Sequence, residues 1–249
     1  MLFAGGVAGG ILASLVGGAS LITFPVLLAA GLPPIIATAS NQAAVLPANV
    51  IASVTDRALM PPLNRGFVGL IAASMLGTVA GSALLLLTPQ RVFEILVPLL
   101  LGFATLLFAF SSPISNWLRE RARARGKPEL KLSLNSIPTL LVCVYGGYFG
   151  AGVGVLLLAV LSIANPGDYR TANAVKNLVG GITTAGAVAY LGAAGAISWA
   201  PTSLMMAGAL LGGLAGGYLA RVVPQEIMRV AVVAVGVLLT VVYAWRYWF

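Results

Sequence analysis

Histidine is absent from this chain of 249 residues, and cysteine occurs once, at Cys143. Without histidine the chain lacks the commonest proton carrier, metal ligand and general base. A single cysteine excludes an intrachain disulfide and a cysteine cluster for a metal ion. The sequence therefore predicts neither a metal site nor a cofactor, and it argues against an enzyme.

Charged residues are also scarce. They make up 8% of the chain, against about 25% in ordinary soluble domains. Hydrophobic residues reach 59% and the mean hydropathy is +1.01. Each of the long uncharged runs has room for at least one membrane-spanning helix of about 20 residues; these runs cover residues 1–55, 66–90, 95–118, 132–167 and 177–220. The composition predicts an all-α polytopic membrane protein.

The net charge of +8 is concentrated in one segment. Six of the fourteen cations lie between Arg119 and Lys131. Such clustering is typical of a cytoplasmic loop under the positive-inside rule, so we expect no nucleic acid as a partner. Contact of the loop with anionic lipid stays an alternative. The loop divides the chain into a first transmembrane repeat (1–118), a basic cytoplasmic loop (119–131) and a second transmembrane repeat (132–249) in the cell membrane.

The two halves resemble each other in order. Each holds four hydrophobic stretches, at 1–30, 33–56, 66–88 and 92–117, and then at 132–164, 168–191, 198–220 and 226–249. Three short matches link the halves: Pro89-Gln90 with Pro224-Gln225, the glycines Gly77 and Gly81 with Gly213 and Gly217, and Gly17-Gly18-Ala19-Ser20 with Gly150-Ala151-Gly152. The series indicates an internal duplication. We interpret the pairs Gly208/Gly212 and Gly213/Gly217 as sites of close helix packing.

The orientation of the repeats depends on the first stretch of each half. If every stretch crosses once, the halves are parallel copies. If the first stretch is re-entrant, or broken into two short pieces that both cross, each half crosses an odd number of times and the repeats are inverted. The inverted model puts eleven cations inside and two outside, against nine and four. Stretches 1–30 and 132–164 are long and interrupted by glycines, which also favours the inverted model.

Lys176 is the most informative residue, because it lies inside the hydrophobic stretch 168–191. A cation within the membrane is costly unless it meets a partner, a watery cavity or an anion; snorkelling to an interface is the alternative. On a helix, Asn173, Lys176 and Asn177 share one face. The pseudo-equivalent stretch of the first half reads Ser40-Asn41-Gln42. These six residues are candidate anion ligands, and interhelical hydrogen bonding is the alternative role of the amides.

The breaks in the first stretches add a second kind of ligand. Where Gly18-Ala19-Ser20 and Ala151-Gly152 precede a half-helix, backbone N–H groups and the positive end of the helix dipole would point at an anion. No buried carboxylate offers a proton relay, so the coupling ion stays open between H⁺ and Na⁺, with uncoupled passage as a further alternative.

The same segments resemble the TauE/SafE sulfite-exporter permeases. The first half carries the likeness in GGVAGGILASLVGGASLITFPVLLAAGLPPIIATASNQAAVLPA, and the second in YGGYFGAGVGVLLLAVLSI and TANAVKNLVGGITTAGAVAYLGAAGAISW. Ala19-Ser20 departs from the family, which often continues with glycines there. The resemblance implies a secondary carrier with duplicated halves that transports sulfite, thiosulfate or organosulfonates such as sulfoacetate.

Other functions are weaker alternatives. An anion channel would share the cationic site, and a carrier of another small organic anion would share the architecture. An intramembrane enzyme would need a nucleophile–base pair or a metal, which the composition does not supply. The glycine-rich segment 208–217 serves either a homodimer or the packing of the fold. The sequence does not indicate the direction of transport.

Overall fold

The computed structural model describes residues 1–15, 18–55, 65–124, 137–164, 169–219 and 225–248. These residues form helices and no strands, which confirms the all-α, multi-pass class. The helices are α1 (Leu2–Leu15), α2 (Ser20–Ala29), α3 (Pro34–Thr55), α4 (Arg65–Leu87), α5 (Gln90–Ala109), α6 (Ser111–Ala124), α7 (Ile137–Tyr148), α8 (Val153–Ala164), α9 (Tyr169–Ala193), α10 (Trp199–Leu219) and α11 (Gln225–Trp248).

The first hydrophobic stretch of each half is broken into two short helices, α1 with α2 and α7 with α8. Gly18 has φ +94°, and Gly150 and Gly152 have φ +81° and +79°. Only glycine adopts these left-handed conformations without a steric cost, which is why the breaks fall in the glycine-rich segments. We name Gly18–Ala19 hinge 1 and Phe149–Gly152 hinge 2. The longest of the four half-helices, α1, has 14 residues and rises roughly 21 Å, less than the ~30 Å hydrocarbon slab.

Each broken stretch folds back on itself as a hairpin. Gly5 of α1 lies so close to Val26 of α2 that an added Cβ atom would collide with it, and the same is true of Gly9 and Thr23. Helices α1 and α2 therefore run antiparallel. In the second half a Cβ on Gly146 would lie 3.0 Å from Val153 across hinge 2. The chain therefore reverses direction at each hinge. Neither first stretch crosses the membrane as one straight helix, as expected for a broken or re-entrant segment.

The hairpins pack on the glycine-rich helices of the opposite half. A Cβ on Gly208 would meet the carbonyl of Phe3, and one on Gly212 would meet the carbonyl of Val7, so α1 and α10 run parallel at backbone contact. Helices α7 and α4 pair in the same way through Gly77, Gly81 and Gly147. The predicted packing role of Gly208 and Gly212 is confirmed.

The matching long helices of the two halves pair with each other. Asn49 of α3 donates from Nδ2 to Oγ1 of Thr184 of α9 at 2.9 Å, and Ser53 Oγ donates to the Asn177 carbonyl oxygen at 2.7 Å. Residue numbers rise on one helix as they fall on the other, so α3 and α9 are antiparallel. In the same manner Trp248 Nε1 of α11 donates to the Ile95 carbonyl oxygen of α5 at 3.1 Å, and Gly102 lies against Thr240.

Within the described residues, three helical segments are long and apolar enough to cross a membrane by length and composition: Arg65–Leu87, Gln90–Ala109 and Val230–Trp248. Helices α3 and α9 are long enough, with 22 and 25 residues, but carry the amides and Lys176. The stretch expected at 92–117 divides, because α5 ends at Ala109 and α6 begins at Ser111. Helix α6 continues to Ala124, so residues 119–124 of the basic segment are helical; residues 125–136 lie outside the described part.

Candidate functional site

Three consecutive polar residues of α3 reach three different elements. Oγ of Ser40 accepts from the backbone N–H of Ser198 at 3.1 Å, just before α10 begins. Oδ1 of Asn41 accepts from the hydroxyl of Thr23 in α2. Nε2 of Gln42 donates to the carbonyl oxygen of Gly147 in α7 at 3.1 Å. All three α3 side chains are buried. This segment thus ties both hairpins and the start of α10 together.

The two hinges lie against the same helix, α5. A Cβ on Gly18 would lie 2.7 Å from the ring of Phe108, and a Cβ on Gly152 would lie 3.3 Å from Leu107. The rings of Phe24 and Phe149 also meet edge to face, with centroids 5.2 Å apart, so α2 contacts hinge 2 directly. The structure therefore brings hinge 1, hinge 2 and the Asn41–Gln42 pair into one buried region, which we name the hinge cluster.

Both hinges end at the start of a half-helix, as expected. Helix α2 begins at Ser20 with Ala19 as a cap that has no side-chain hydrogen bond, and its first turn carries no acidic residue. The first backbone bonds of these turns run from Leu21 N to Gly18 O at 3.0 Å and from Val153 N to Gly150 O at 3.4 Å. In the described part of the chain the first turns of α2 and α8 carry no carboxylate, so the positive ends of both helices face the hinge cluster in a way that suits an anion.

The second group of predicted ligands lies on α9. Nζ of Lys176 donates to Oδ1 of Asn173 at 3.0 Å, so these two side chains share a face as predicted. Both residues are partly buried, as is Asn177, whose carbonyl oxygen accepts the Ser53 hydroxyl. Lys176 lies seven residues into α9, roughly 10 Å along its axis. Its ammonium thus meets a neutral amide acceptor inside the helix bundle. We name Asn173, Lys176 and Asn177 the lysine cluster.

The two clusters are not adjacent. Asn177 contacts Ser53 near the end of α3, whereas Asn41 lies near its beginning. The interval from 41 to 53 corresponds to roughly 18 Å along the helix. Antiparallel pairing causes this separation. Asn49 contacts Thr184 where the two helices cross. Asn41 and Lys176 each precede that contact by eight residues, so they lie on opposite sides of it. The sequence had suggested that all these residues converge, and the direction of helix pairing was the missing information.

Several residues of the hinge cluster escaped the sequence analysis. The hydroxyl of Tyr145 donates to the Ala151 carbonyl oxygen at 2.6 Å and so bridges hinge 2. Thr23 holds Asn41, and Ser82 Oγ of α4 donates to Gly147 O at 3.3 Å. The position of Tyr145 directly before Gly146-Gly147, a few residues ahead of hinge 2, was an available signal for it. Thr23 and Ser82 lie in apolar helices and gave none. Gly17 of the first motif lies outside the described residues.

Comparison with known proteins agrees with this architecture. A family model described as "Sulfite exporter TauE/SafE" matches residues 2–243. Among curated proteins the chain is similar to "Probable membrane transporter protein ORF9" of Sinorhizobium sp., with 26% identity over 96% of this chain and 90% of that protein. It is also similar to "Probable membrane transporter protein YfcA" of Escherichia coli K12, with 24% identity over 93% of this chain and 84% of that protein. A "Probable membrane transporter protein" of Haemophilus influenzae is 24% identical over 96% and 92% of the two chains. No solved structure matches the chain.

Proposed function

We propose that this chain, which belongs to the sulfite exporter TauE/SafE family of membrane transporters, is a secondary carrier of small sulfur-containing anions such as sulfite or sulfoacetate-like organosulfonates. The observation that carries the proposal is the ammonium of Lys176, held by the Asn173 amide inside a membrane helix. A cation inside a membrane helix is costly, and a small anion bound beside it stabilises it. Lysine suits a small oxyanion because its ammonium is a point charge with three donors.

The amides around Lys176 complete the chemistry. A sulfite or sulfonate group presents oxygens that accept hydrogen bonds on several sides. Asn173 and Asn177 can turn their NH₂ groups towards such oxygens without adding another buried charge. On anion binding the ammonium of Lys176 would exchange its bond to the neutral Asn173 amide for bonds to an anionic oxygen, which add attraction between opposite charges.

The hinge cluster would be a second binding site for the anion on its way through the protein. Asn41 and Gln42 occupy the positions of α3 that match Lys176 and Asn177 on α9. The N-terminal ends of α2 and α8 add the positive ends of two helix dipoles. We infer that the anion passes between the lysine cluster and the hinge cluster along the α3–α9 pair, near the middle of the membrane.

We further propose that the two halves are inverted repeats. Antiparallel packing of α3 with α9 and of α5 with α11 supports this topology, because matching helices then run in opposite directions. The parallel packing of α1 with α10 matches that of α7 with α4, which supports a duplication of the halves in either topology. Inverted repeats allow one half to rock against the other and expose the site to each side in turn. In this topology residues 119–131 face the cytoplasm.

The test is ligand-dependent thermal stabilisation of the purified protein. The panel is sulfite, thiosulfate, sulfate, sulfoacetate, taurine, acetate and phosphate. We expect selective stabilisation by sulfite or a sulfonate, lost in Lys176→Met and partly restored in Lys176→Arg. Arg91→Ala, which removes an exposed cation, is the matched control for net charge. Normal stabilisation of Lys176→Met would refute the site.

Transport measurements separate the carrier from the alternatives. In proteoliposomes a carrier gives saturable uptake and accelerated exchange when unlabelled substrate is present inside. A channel gives flux that does not saturate and no exchange. Stabilisation by acetate or another carboxylate alone, with no response to sulfur compounds, would favour a carrier of a different small organic anion.

A further inference from the structure

We infer that the C-terminal end of α7 holds a monovalent cation, Na⁺, between the carbonyl oxygen of Gly147, the hydroxyls of Thr78 and Ser82, and the amide of Gln42. This inference rests on the proposed transport function, because it assigns the ion that would drive it. The cation would lie beside hinge 2, in the hinge cluster.

The Gly147 carbonyl is the first element of the site. Helix α7 ends at Tyr148, and the backbone N–H groups of Phe149 and Gly150 both bond to Tyr145 O. In the described part of the chain, Gly147 O receives no backbone donor; it accepts from Gln42 Nε2 at 3.1 Å and from Ser82 Oγ at 3.3 Å instead. A half-helix C-terminus carries partial negative charge, and carbonyls at such breaks coordinate Na⁺ in other transporters.

Thr78 is the second element and an independent observation. Its side chain is 1% exposed, and its hydroxyl oxygen has no hydrogen-bond partner among the described residues. Leaving such a group unsatisfied in the interior is costly. The neighbouring hydroxyl Ser74 differs, because it donates to Leu70 O at 2.7 Å. Thr78 precedes Ser82 by one helical turn, and Gly147 packs against the backbone of both residues. The unused oxygen therefore lies on the face of α4 that meets the end of α7.

The two repeats differ in charge at this place. The first residues of α5 and α11, Gln90 and Gln225, are 135 positions apart, and so are the contacting residues Asn49 and Thr184. The same interval matches Asn41 with Lys176 and Gln42 with Asn177. The second repeat thus provides a covalently attached ammonium where the first provides neutral amides. A mobile cation near Gln42 would give the first repeat the charge that Lys176 gives the second.

The ligand types select the ion. All four groups offer neutral oxygens: one carbonyl, two hydroxyls and one amide. Divalent cations in proteins are usually held by carboxylates, and no group of three or more histidine, cysteine or acidic residues occurs in the described ranges. Neutral oxygens in a buried cluster fit a monovalent ion, whose hydration shell is held less strongly than that of a divalent ion, and carbonyls at broken helices coordinate Na⁺ in other transporters. On cation binding the Gln42 amide would turn over, because Nε2 now donates to the Gly147 carbonyl and only Oε1 can coordinate a cation.

The position couples the cation to the anion. Hinge 2 joins the carbonyl end of α7 to the N–H end of α8 within four residues. A cation on the first end and an anion on the second would attract each other across the hinge and would both restrain it. Gly147 is also where α3 and α4 meet α7, so the bound ion would fasten hairpin 2 (Ile137–Ala164) to the rest of the bundle.

The test uses Na⁺ alone, without any transported anion. Thermal unfolding of the purified full chain is followed while NaCl replaces choline chloride at constant ionic strength, with KCl as the comparison. We expect a saturable rise of the melting temperature with Na⁺. Thr78→Val and Ser82→Ala should raise the half-saturating Na⁺ concentration by roughly tenfold or more. Thr78→Ser, which keeps the hydroxyl, should retain the response, and Ser74→Ala is the matched control one turn away.

The outcomes are distinct. Equal melting temperatures in Na⁺, K⁺ and choline would overturn the cation site, as would an unchanged half-saturating concentration in both Thr78→Val and Ser82→Ala. Lys176→Met should keep the Na⁺ response while it loses the response to sulfur anions. An anion response without a Na⁺ response would leave the transport proposal standing and remove this one. A Na⁺ response without any anion response would leave the cation site standing and remove the proposed transport of sulfur anions.

Discussion

Tyr145→Phe removes one oxygen and with it one hydrogen bond, so its effect can be worked out from the structure. The hydroxyl donates to Ala151 O at 2.6 Å across hinge 2, and Ala151 is 1% exposed. A buried neutral hydrogen bond contributes about 0.5–1.5 kcal/mol, and an acceptor left unsatisfied costs about 1–3 kcal/mol. The ring contacts with Phe103 and Phe149 remain, since phenylalanine keeps the ring. We expect a loss of about 1–2 kcal/mol of stability.

The assay is thermal unfolding with a matched tyrosine as control. At roughly 2–4 °C per kcal/mol for chains of 150–250 residues, Tyr145→Phe should lower the melting temperature by several degrees. Tyr243→Phe removes a longer hydrogen bond, 3.3 Å from the Tyr243 hydroxyl to Pro25 O in hairpin 1 (Leu2–Ala29). This substitution should lower the melting temperature less. Equal effects of the two substitutions, or no effect of Tyr145→Phe, would refute the view that Tyr145 fastens hinge 2.

Two further predictions test packing and topology. Gly212→Ala places a Cβ on the Val7 carbonyl at the α1–α10 contact and should destabilise the protein by about 1–3 kcal/mol in denaturant titrations. Gly180→Ala, where a Cβ meets nothing within 4 Å, should instead stabilise α9 by about 0.5–1 kcal/mol, and a similar loss in both variants would contradict the contact. A tag at the C-terminus should be labelled from outside intact cells in the inverted topology. Labelling only after permeabilisation would exclude that topology.

The sequence was sufficient to predict the elements whose signal is local. Low charge and long apolar runs predicted a multi-pass helical protein, and glycines at 18, 150 and 152 predicted where the first stretches break. Close packing at Gly208 and Gly212 followed from small residues four apart. Each of these features depends on residues that are neighbours in sequence, so their chemistry can be read directly from it.

The arrangement of the site could not be predicted, because it depends on which helices pair and in which direction. Asn41 and Lys176 occupy matching positions, and only the antiparallel pairing of α3 with α9 puts them roughly 18 Å apart along the helix. The roles of Thr23 and Thr78 are equally non-local. One hydroxyl is satisfied by an amide of another helix and the other is unsatisfied among the described residues. A hydroxyl in an apolar helix reveals neither outcome in the sequence alone.

The distribution of polarity among the long helices explains why the candidate site lies where it does. Helices α4, α5 and α11 expose large apolar side chains such as Leu76, Leu99 and Leu238, which suits contact with lipid chains. Helices α3 and α9 carry the amides and Lys176, and hydrocarbon would leave those groups unsatisfied at a cost of several kcal/mol each. The polar helices therefore pair with each other inside the bundle, and the hairpins close over them. The same physical requirement that buries the polar pair also creates a polar surface within the bilayer that can hold a small anion, so the fold and the proposed transport path share one cause.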